Sequence, residues 1–132
     1  MEYILKLEDG RLEPIRDLMK NPQEFALRRI LVDERIGGAK HVTFGYARFE
    51  PRTSYHKKHT HPHAEEVFYV VEGRGLGGVG AGNPDREIVT GDTVWVPQGE
   101  VHWLYNPFDE PCAIVFLYTA PSLEAAGYEI VE

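Results

Sequence analysis

Three histidines and two glutamates lie together in the stretch HTHPHAEE, residues 59–66. Side chains two positions apart on an extended segment point to the same side, so His59 and His61 would direct two imidazoles one way, about 7 Å apart. That separation lets both rings reach a single metal ion at about 2.1 Å. The stretch therefore predicts a metal site, with a solvated, histidine-bearing loop as the simpler alternative.

The other polar residues of this stretch leave two questions open. Pro62 precedes His63, so a turn there would swing the His63 ring away from the other two. We interpret His63 first as a residue at the rim of a site and second as a candidate catalytic group for proton transfer. Glu65 and Glu66 must point to opposite faces of the following strand. Both faces are apolar, so alternation alone does not choose between them.

A second stretch, GDTVWVPQGEVHWLYN at residues 91–106, combines turn residues with another histidine. Pro97 fixes one φ angle and Gly99 is free to adopt a positive one, which suits a tight turn. The chain would then enter a strand at His102. Taken alone, a histidine beside Trp103 is more often a packed or surface residue than a metal ligand.

Together the two stretches, residues 53–73 and 91–106, resemble the two motifs of the cupin family. The first motif reads G-x5-H-x-H-x3,4-E-x6-G, and the second reads G-x5-P-x-G-x2-H-x3-N. The matching positions, in the correct order, are His59, His61, Glu66, Gly73, Gly91, Pro97, Gly99, His102 and Asn106. Thr53 replaces the opening glycine of the first motif, which puts the shape of that loop in question but not the ligands. The six-residue spacing to Gly73 selects Glu66 over Glu65.

The resemblance implies an all-β fold, the double-stranded β-helix or jelly-roll barrel, with short N-terminal additions. It also implies one divalent transition metal ion, held by His59, His61, Glu66 and His102. Four protein ligands on an octahedral ion leave two open positions, which favours iron, manganese, nickel or cobalt. Zinc prefers four ligands and is the less favoured choice.

Strands must position these residues, and the chain has the pattern of an all-β protein. Glycines and prolines separate short apolar runs such as VTFGYARF, EVFYVV and AIVFLY. The predicted strands are Glu2–Leu7, Phe25–Asp33, His41–Phe49, Tyr55–His61, Glu66–Glu72, Gly75–Val79, Arg86–Val89, Thr93–Val96, His102–Tyr105 and Ala113–Thr119. Short helical turns are predicted at Glu13–Lys20 and Ser122–Ala126. The glycine-rich run 73–82 is interpreted as a thin strand that permits close backbone approach.

Alternation along the strands indicates which side chains would line a substrate pocket beside the metal. Phe68 shares a face with the motif glutamate, and Leu104 shares one with the histidine of the second motif. Tyr46 and Arg48 share a face of the preceding strand and are the polar candidates for substrate contact. A core hydrogen bond for Tyr46 and a surface position for Arg48 are the simpler interpretations.

Composition limits the class of protein. With 132 residues, of which 42% are hydrophobic and 27% charged, the chain is predicted to form a single domain, residues 1–132. A net charge of −7 argues against nucleic acid as a partner, and no long apolar run indicates a membrane span. The single cysteine, Cys112, suits a cytoplasmic protein. We expect a homodimer, in which the segment Glu2–Leu7 adds a strand to a neighbour's sheet.

The open metal positions and the resemblance predict a metal-dependent cupin enzyme for a small organic substrate. Similarity to small cupins with three histidines and one glutamate favours a dioxygenase-type oxidoreductase. One alternative is a redox-neutral isomerase or lyase that acts on a sugar, a uronate or a carboxylic acid. The other is a non-catalytic cupin that binds a small ligand. The fold alone does not choose among these functions.

Overall fold

The computed structural model describes residues 3–14, 26–52 and 54–132, and these are mostly β-strands. The strands are β1 (Arg11–Pro14), β2 (Ala26–Val32), β3 (Thr43–Phe49), β4 (Ser54–Thr60), β5 (Glu66–Glu72), β6 (Arg74–Val79), β7 (Arg86–Val89), β8 (Thr93–Val96), β9 (His102–Asn106), β10 (Cys112–Tyr118) and β11 (Glu129–Ile130). A 3₁₀-helix spans Leu7–Asp9, and an α-helix, α1, spans Leu123–Ala126. Neither of these described helices has the length and apolar character needed to cross a membrane.

The strands form two antiparallel sheets that share one core. One sheet has six strands in the order β1-β2-β3-β10-β5-β8, and the other has five in the order β11-β4-β9-β6-β7. Phe68 and Phe116 of the first sheet belong to the same buried cluster as Ile88 and Leu104 of the second. The all-β jelly-roll fold that the sequence predicts is therefore confirmed.

An irregularity in the pairing of β4 with β9 places two histidines opposite each other. His56 pairs with Leu104, whereas the next pair is His59 with His102, so β4 carries one more residue than β9 between them. Such a β-bulge changes which face of the strand the following side chains occupy. In a regular register, Lys58 rather than His59 would stand opposite His102.

Glycines allow neighbouring segments to approach β6 closely. A Cβ atom at Gly77 would collide with the carbonyl oxygen of Trp103 on β9. Gly73, just before β6, has a φ of +68°, and a Cβ atom there would collide with the carbonyl oxygen of Pro111. Gly73 and Gly77 thus permit the close backbone approach that was predicted for the glycine-rich run.

The N-terminal elements differ from the prediction. Residues 3–6 are not in a strand and the chain then turns through the 3₁₀-helix, so the predicted strand Glu2–Leu7 is wrong over the described residues. The predicted helical turn Glu13–Lys20 is wrong at its first two residues, which belong to β1 and pair with β2. Long-range pairing overrides a local preference there. Residues 15–25, and likewise Thr53, lie outside the described residues.

The rest of the predicted elements agree with the structure. Each of the other predicted strands is present, with its ends shifted by at most two residues. The helical turn at Ser122–Ala126 is confirmed, since the Ser122 hydroxyl accepts a hydrogen bond of 2.9 Å from the amide of Ala125 at the start of α1. Strands β1 and β11 are not anticipated, because each is short and is defined by its pairing partner.

Candidate metal centre

Three buried histidines meet between the sheets. His59 lies near the end of β4, His61 directly after it, and His102 at the start of β9. Their exposed fractions are 0%, 6% and 3% respectively. Their candidate ligand nitrogens all lie within 4.8 Å of one another. The rings of His59 and His102 have centroids 4.1 Å apart. These three histidines could therefore bind one metal ion.

Glu66 adds a carboxylate from the opposite sheet. It is buried at the start of β5, and its Oε1 lies 2.9 Å from Nε2 of His102 and 3.7 Å from Nε2 of His61. Glu65 is exposed instead, and its Oε1 accepts a hydrogen bond of 2.9 Å from the indole nitrogen of Trp95. The structure thus brings Glu66, and not Glu65, to the histidine cluster.

Backbone carbonyls orient two of the imidazole rings. Nδ1 of His61 lies 2.8 Å from the carbonyl oxygen of Gly127, and Nδ1 of His102 lies 3.1 Å from that of Glu100. A carbonyl can only accept, so each Nδ1 carries the hydrogen and each Nε2 of the neutral ring presents a lone pair. Metal-binding histidines in proteins are commonly held by this kind of contact.

The Nε2 atoms of His61 and His102 fit the role of ligands. Both are buried, and neither makes a hydrogen bond with the part of the chain that the structure describes. Buried polar atoms are normally satisfied, so lone pairs directed toward a common region indicate a place for a cation.

Burial lowers the pKa values of the His61 and His102 rings, and the Glu66 carboxylate raises them. Burial lowers the pKa of His61, and Glu66 offsets only part of that effect. Burial also disfavours the charged form of His102, but its closer contact with Glu66 outweighs burial and raises the pKa of His102. The carboxylate thus supplies a negative charge that a cation shared by these groups would offset.

A narrow cavity of about 30 Å³ lies between the sheets beside this centre. Such a volume holds about two water molecules. Its polar lining residues are Arg28, Glu66, His102 and Tyr118. Most of its wall is apolar and includes Phe49, Phe68, Leu104, Ile114 and Phe116. The cavity includes the two predicted apolar pocket residues, Phe68 and Leu104.

Tyr46 and Arg48, the polar candidates for the pocket, lie elsewhere. The odd-numbered residues of β3, from Thr43 to Phe49, are buried, so Tyr46 and Arg48 occupy the opposite face. Arg48 is 42% exposed in its side chain and forms a 3.1 Å ion pair with Glu50. Their assignment to the pocket is therefore wrong, because the inward face of this strand carries the residues between them.

His63 also lies outside the cavity lining. It is exposed on the turn after Pro62, and its amide donates a hydrogen bond of 2.9 Å to the carbonyl of Ala126. The structure places His63 near the C-terminal segment that holds His61, at the edge of the centre rather than within the described cavity. A role for His63 in proton transfer stays a prediction.

Sequence analysis missed three residues of this region. Tyr118 lines the cavity from β10, where alternation with Phe116 would have indicated its inward position. Arg28 lines it from β2, on the same face as the buried Ile30. No local pattern marks Gly127, because its contact with His61 depends on the C-terminal segment returning to β4 through β11.

Comparison with known proteins establishes the family. The family model for the cupin domain matches residues 45–118, more than half of the chain, and the chain therefore belongs to the cupin family. Germin-like protein 5-1 of Oryza sativa subsp. japonica is 37% identical over 78 residues, which are 55% of this chain and 33% of that protein. The chain thus spans about a third of the length of this relative.

Solved structures share the fold. The polyketide cyclase RemF from Streptomyces resistomycificus is similar with a TM-score of 0.77 at 20% identity, over 100% of this chain and 87% of that one. A recombinant oxalate oxidase in complex with glycolate is similar with a TM-score of 0.68 at 22% identity, over 84% of this chain and 57% of that one. At these identities the likeness concerns the fold alone.

Proposed function

We propose that this chain is a metal-dependent cupin enzyme for a small organic substrate, with one divalent transition metal ion held by His59, His61, Glu66 and His102. The observation that carries the proposal is the convergence of these groups. Three buried histidines bring nitrogens within 4.8 Å of one another, and a Glu66 oxygen approaches Nε2 of His102 to 2.9 Å. Three neutral imidazoles and one carboxylate offset one of the two charges of a divalent ion.

The ligand set favours a metal that accepts more than four ligands. Iron, manganese, nickel or cobalt would keep two positions for substrate groups, whereas zinc would be nearly closed. When bound, such an ion supplies Lewis-acid polarisation of a substrate oxygen or a redox centre. The apolar wall, with Phe68, Leu104 and Phe116, excludes water and so strengthens the charge interactions inside the cavity.

Tyr118 contributes a hydroxyl group that stays protonated. Burial raises the pKa of Tyr118 well above its usual value, and the charge of Glu66 raises it further. Its ring lies 4.7 Å from that of His61, so the hydroxyl belongs to the same region as the ligands. A hydrogen bond that the neutral phenol donates to the Glu66 carboxylate is a further cause of the raised pKa, so Tyr118 would help to orient this proposed ligand.

Among reaction types we favour an oxygen-dependent oxidation of the dioxygenase kind. The ligand set suits redox-active iron or manganese, and the fold is that of a solved oxalate oxidase. A redox-neutral reaction is the second candidate, because the polyketide cyclase RemF shares the fold over the whole of this chain. Both candidates use the same four ligands and the same cavity.

Oxygen uptake distinguishes the two candidates. The protein is purified without a histidine tag, its metal content is measured, and the apoprotein is loaded with Fe(II) or Mn(II) under anaerobic conditions. Oxygen and substrate are then followed with a panel of hydroxy acids, diketones, catechols and thiols. The apoprotein and loaded His61→Ala protein serve as controls.

Metal-dependent oxygen uptake that matches substrate loss is the expected result. Metal-dependent turnover without oxygen uptake would replace the oxidation by a redox-neutral reaction. A protein that binds metal tightly but converts no substrate of either class would contradict the enzyme and leave the non-catalytic, ligand-binding cupin.

A further inference from the structure

The six-stranded sheet has a second apolar face, which points away from the core. Alternate residues of its adjacent strands β3, β10 and β5 are buried, so the side chains between them point outward. An antiparallel sheet commonly carries polar residues on the face opposite its core. Here the outward side chains form an apolar surface, which we call the outer patch: Phe44, Tyr46, Val67, Tyr69, Val115 and Leu117. We infer that the outer patch is the contact surface for a second copy of this chain.

The outer patch consists of two apolar rows that cross the three strands. The first row is Tyr46, Val115 and Tyr69, and the second row is Phe44, Leu117 and Val67. Each row is therefore centred on an aliphatic residue of β10, with an apolar neighbour on either side. This arrangement is the same whether the sheet is viewed from β3 or from β5.

Aromatic side chains of this face are exposed to solvent. Trp95 of β8 extends the second row and is 60% exposed, and Tyr69 is 44% exposed. The other sheet covers its outward aromatic residue. Trp103 of β9 is only 2% exposed, because Lys58 lies 4.5 Å from its ring centroid and Asp85 accepts a 2.7 Å hydrogen bond from its indole nitrogen. A continuous exposed apolar surface with aromatic residues at its centre is typical of a protein interface.

The symmetry of the outer patch suits a second copy. In a two-fold dimer the same surface of both copies meets, so the surface must match itself. With the two-fold axis along β10, β3 of one protomer faces β5 of its partner, and β10 faces β10. Leu117 then lies close to the partner's Leu117. Because both rows are apolar on either side of β10, apolar side chains meet apolar side chains across the whole contact.

Charges at the rim are compatible with the same axis. Arg29 and Arg48 lie on the side of β2 and β3, whereas Glu65 and Glu72 lie at the two ends of β5. The axis along β10 places the side with the arginines over the partner's side with the glutamates. Arg48 already contacts Glu50 at 3.1 Å and Glu72 at 4.0 Å within the chain. The rim therefore contributes to orientation more than to affinity.

The size and shape of the sheet also favour a second copy. Six strands about 4.8 Å apart and up to seven residues long give a face of about 600 Å² in projection. Protruding side chains make the accessible area larger, and each partner of a standard interface buries about 800 Å². A peptide would occupy a groove or a strand edge rather than a sheet face. The net charge of −7 disfavours an anionic membrane surface.

This contact differs from the strand addition expected for Glu2–Leu7. Strand addition joins two sheets at their edges through backbone hydrogen bonds. The outer patch instead packs two sheets face to face through side chains. The contact involves no residue of the metal centre, so it goes beyond the proposed function and does not depend on it.

Sedimentation velocity tests the contact by measuring molar mass over a range of concentrations, from about 1 to about 100 µM. Wild type, Leu117→Lys, Leu117→Glu, Trp95→Lys and Leu76→Lys are compared. Leu76→Lys is the matched control, since Leu76 is also a half-buried leucine on an outward face, that of β6 in the other sheet. Circular dichroism and metal content, measured on the same samples, verify that each variant is folded.

We expect wild type and Leu76→Lys to be dimers with equal dissociation constants. Leu117→Lys should raise the dissociation constant by at least about tenfold, because it brings two lysines together near the axis. A mixture of Leu117→Lys and Leu117→Glu should restore the dimer, because each lysine then meets a glutamate. Trp95→Lys should also weaken the dimer. It tests the patch even if Leu117→Lys folds poorly, since Trp95 is exposed.

A wild-type protein that stays monomeric at the highest concentration would overturn the inference. Sedimentation with vesicles of phosphatidylcholine and phosphatidylglycerol would then show whether a membrane covers the face instead. Leu117→Lys and Trp95→Lys proteins that dimerise as tightly as wild type would also overturn it and would favour strand addition. A mixture of the two Leu117 variants that stays monomeric would exclude the axis along β10. Each of these results leaves the metal content and turnover of the proposed enzyme untouched.

Discussion

His59 of β4 and His102 of β9 are direct cross-strand partners, with ring centroids 4.1 Å apart. The β-bulge between His56 and His59 creates this pairing. Glu66 then reaches the same point from the other sheet. The centre therefore exists only when the two sheets pack against each other, so ligand geometry and fold stability are coupled.

Removal of His61 should empty most of the metal site. We expect His61→Ala to bind at least about tenfold less metal than wild type, because one nitrogen ligand and its Gly127 contact are lost. Elemental analysis after loading with the same metal measures this. His63→Ala is the control, since His63 is exposed and should leave metal content unchanged. Wild-type metal content in His61→Ala would contradict the site.

The two adjacent glutamates should differ sharply. Glu66→Gln removes the buried carboxylate beside two imidazoles, and we expect metal affinity to fall by at least about tenfold. Glu65→Gln replaces an exposed side chain whose contact is with Trp95, so its metal affinity should equal that of wild type. Competition with a chelator gives both affinities. The opposite ranking would show that β5 has the other register.

Alanine substitutions at two motif glycines distinguish the free-energy cost of a steric clash from the cost of a strained backbone. Both have positive φ, +68° at Gly73 and +96° at Gly91, but only at Gly73 would a Cβ atom meet neighbouring backbone. We expect Gly91→Ala to lower the free energy of unfolding by about 1 kcal/mol. Gly73→Ala should cost at least about 1 kcal/mol more, owing to the collision with Pro111. Urea denaturation measures both, and equal losses would refute the close approach.

Acid should weaken the link between β1 and the end of β2. Burial disfavours the charge of Asp33, but its 2.7 Å bond from Arg11 and those from the amides of Arg35 and Ile36 outweigh burial and lower its pKa. The carboxylate thus stabilises the fold above its unfolded pKa of about 3.9, and this contribution is lost as pH falls through the lower folded value.

Substitution by asparagine isolates that contribution. The stability advantage of wild type over Asp33→Asn should be full above about pH 5 and should narrow below about pH 4. Urea titrations across this range measure it. Asp109→Asn is the control, because Asp109 is 80% exposed in its side chain, and its loss should change stability by less than about 1 kcal/mol. An advantage that does not vary with pH would exclude this role for Asp33.

Several expectations from the sequence stay predictions. They are a single domain over residues 1–132, a cytoplasmic location and a homodimer. The expected addition of Glu2–Leu7 to a neighbour's sheet is not supported by a strand within this chain, because residues 3–6 form none. Tyr3 and Ile4 are highly exposed, at 86% and 89%. Measurement of molar mass in solution tests the dimer directly.

The sequence by itself determined the type of fold and the candidate ligands. Short apolar runs between glycines and prolines define strands, and alternation along a strand decides which neighbours share a face. The resemblance to the two cupin motifs then implied His59, His61, Glu66 and His102 as the ligands. Alternation failed at Tyr46 and Arg48, because both faces of β3 carry apolar residues and either parity was acceptable.

Only the tertiary structure decided how distant segments meet. The extra residue in β4, the Gly127 carbonyl behind His61, and Arg28 in the cavity all depend on pairing between segments far apart in the chain. Local preferences do not encode such registers, because a register is set by the combined packing and hydrogen bonding of both strands. The residue types of the ligands are thus set by the local sequence, whereas their convergence and their surroundings depend on the folded barrel.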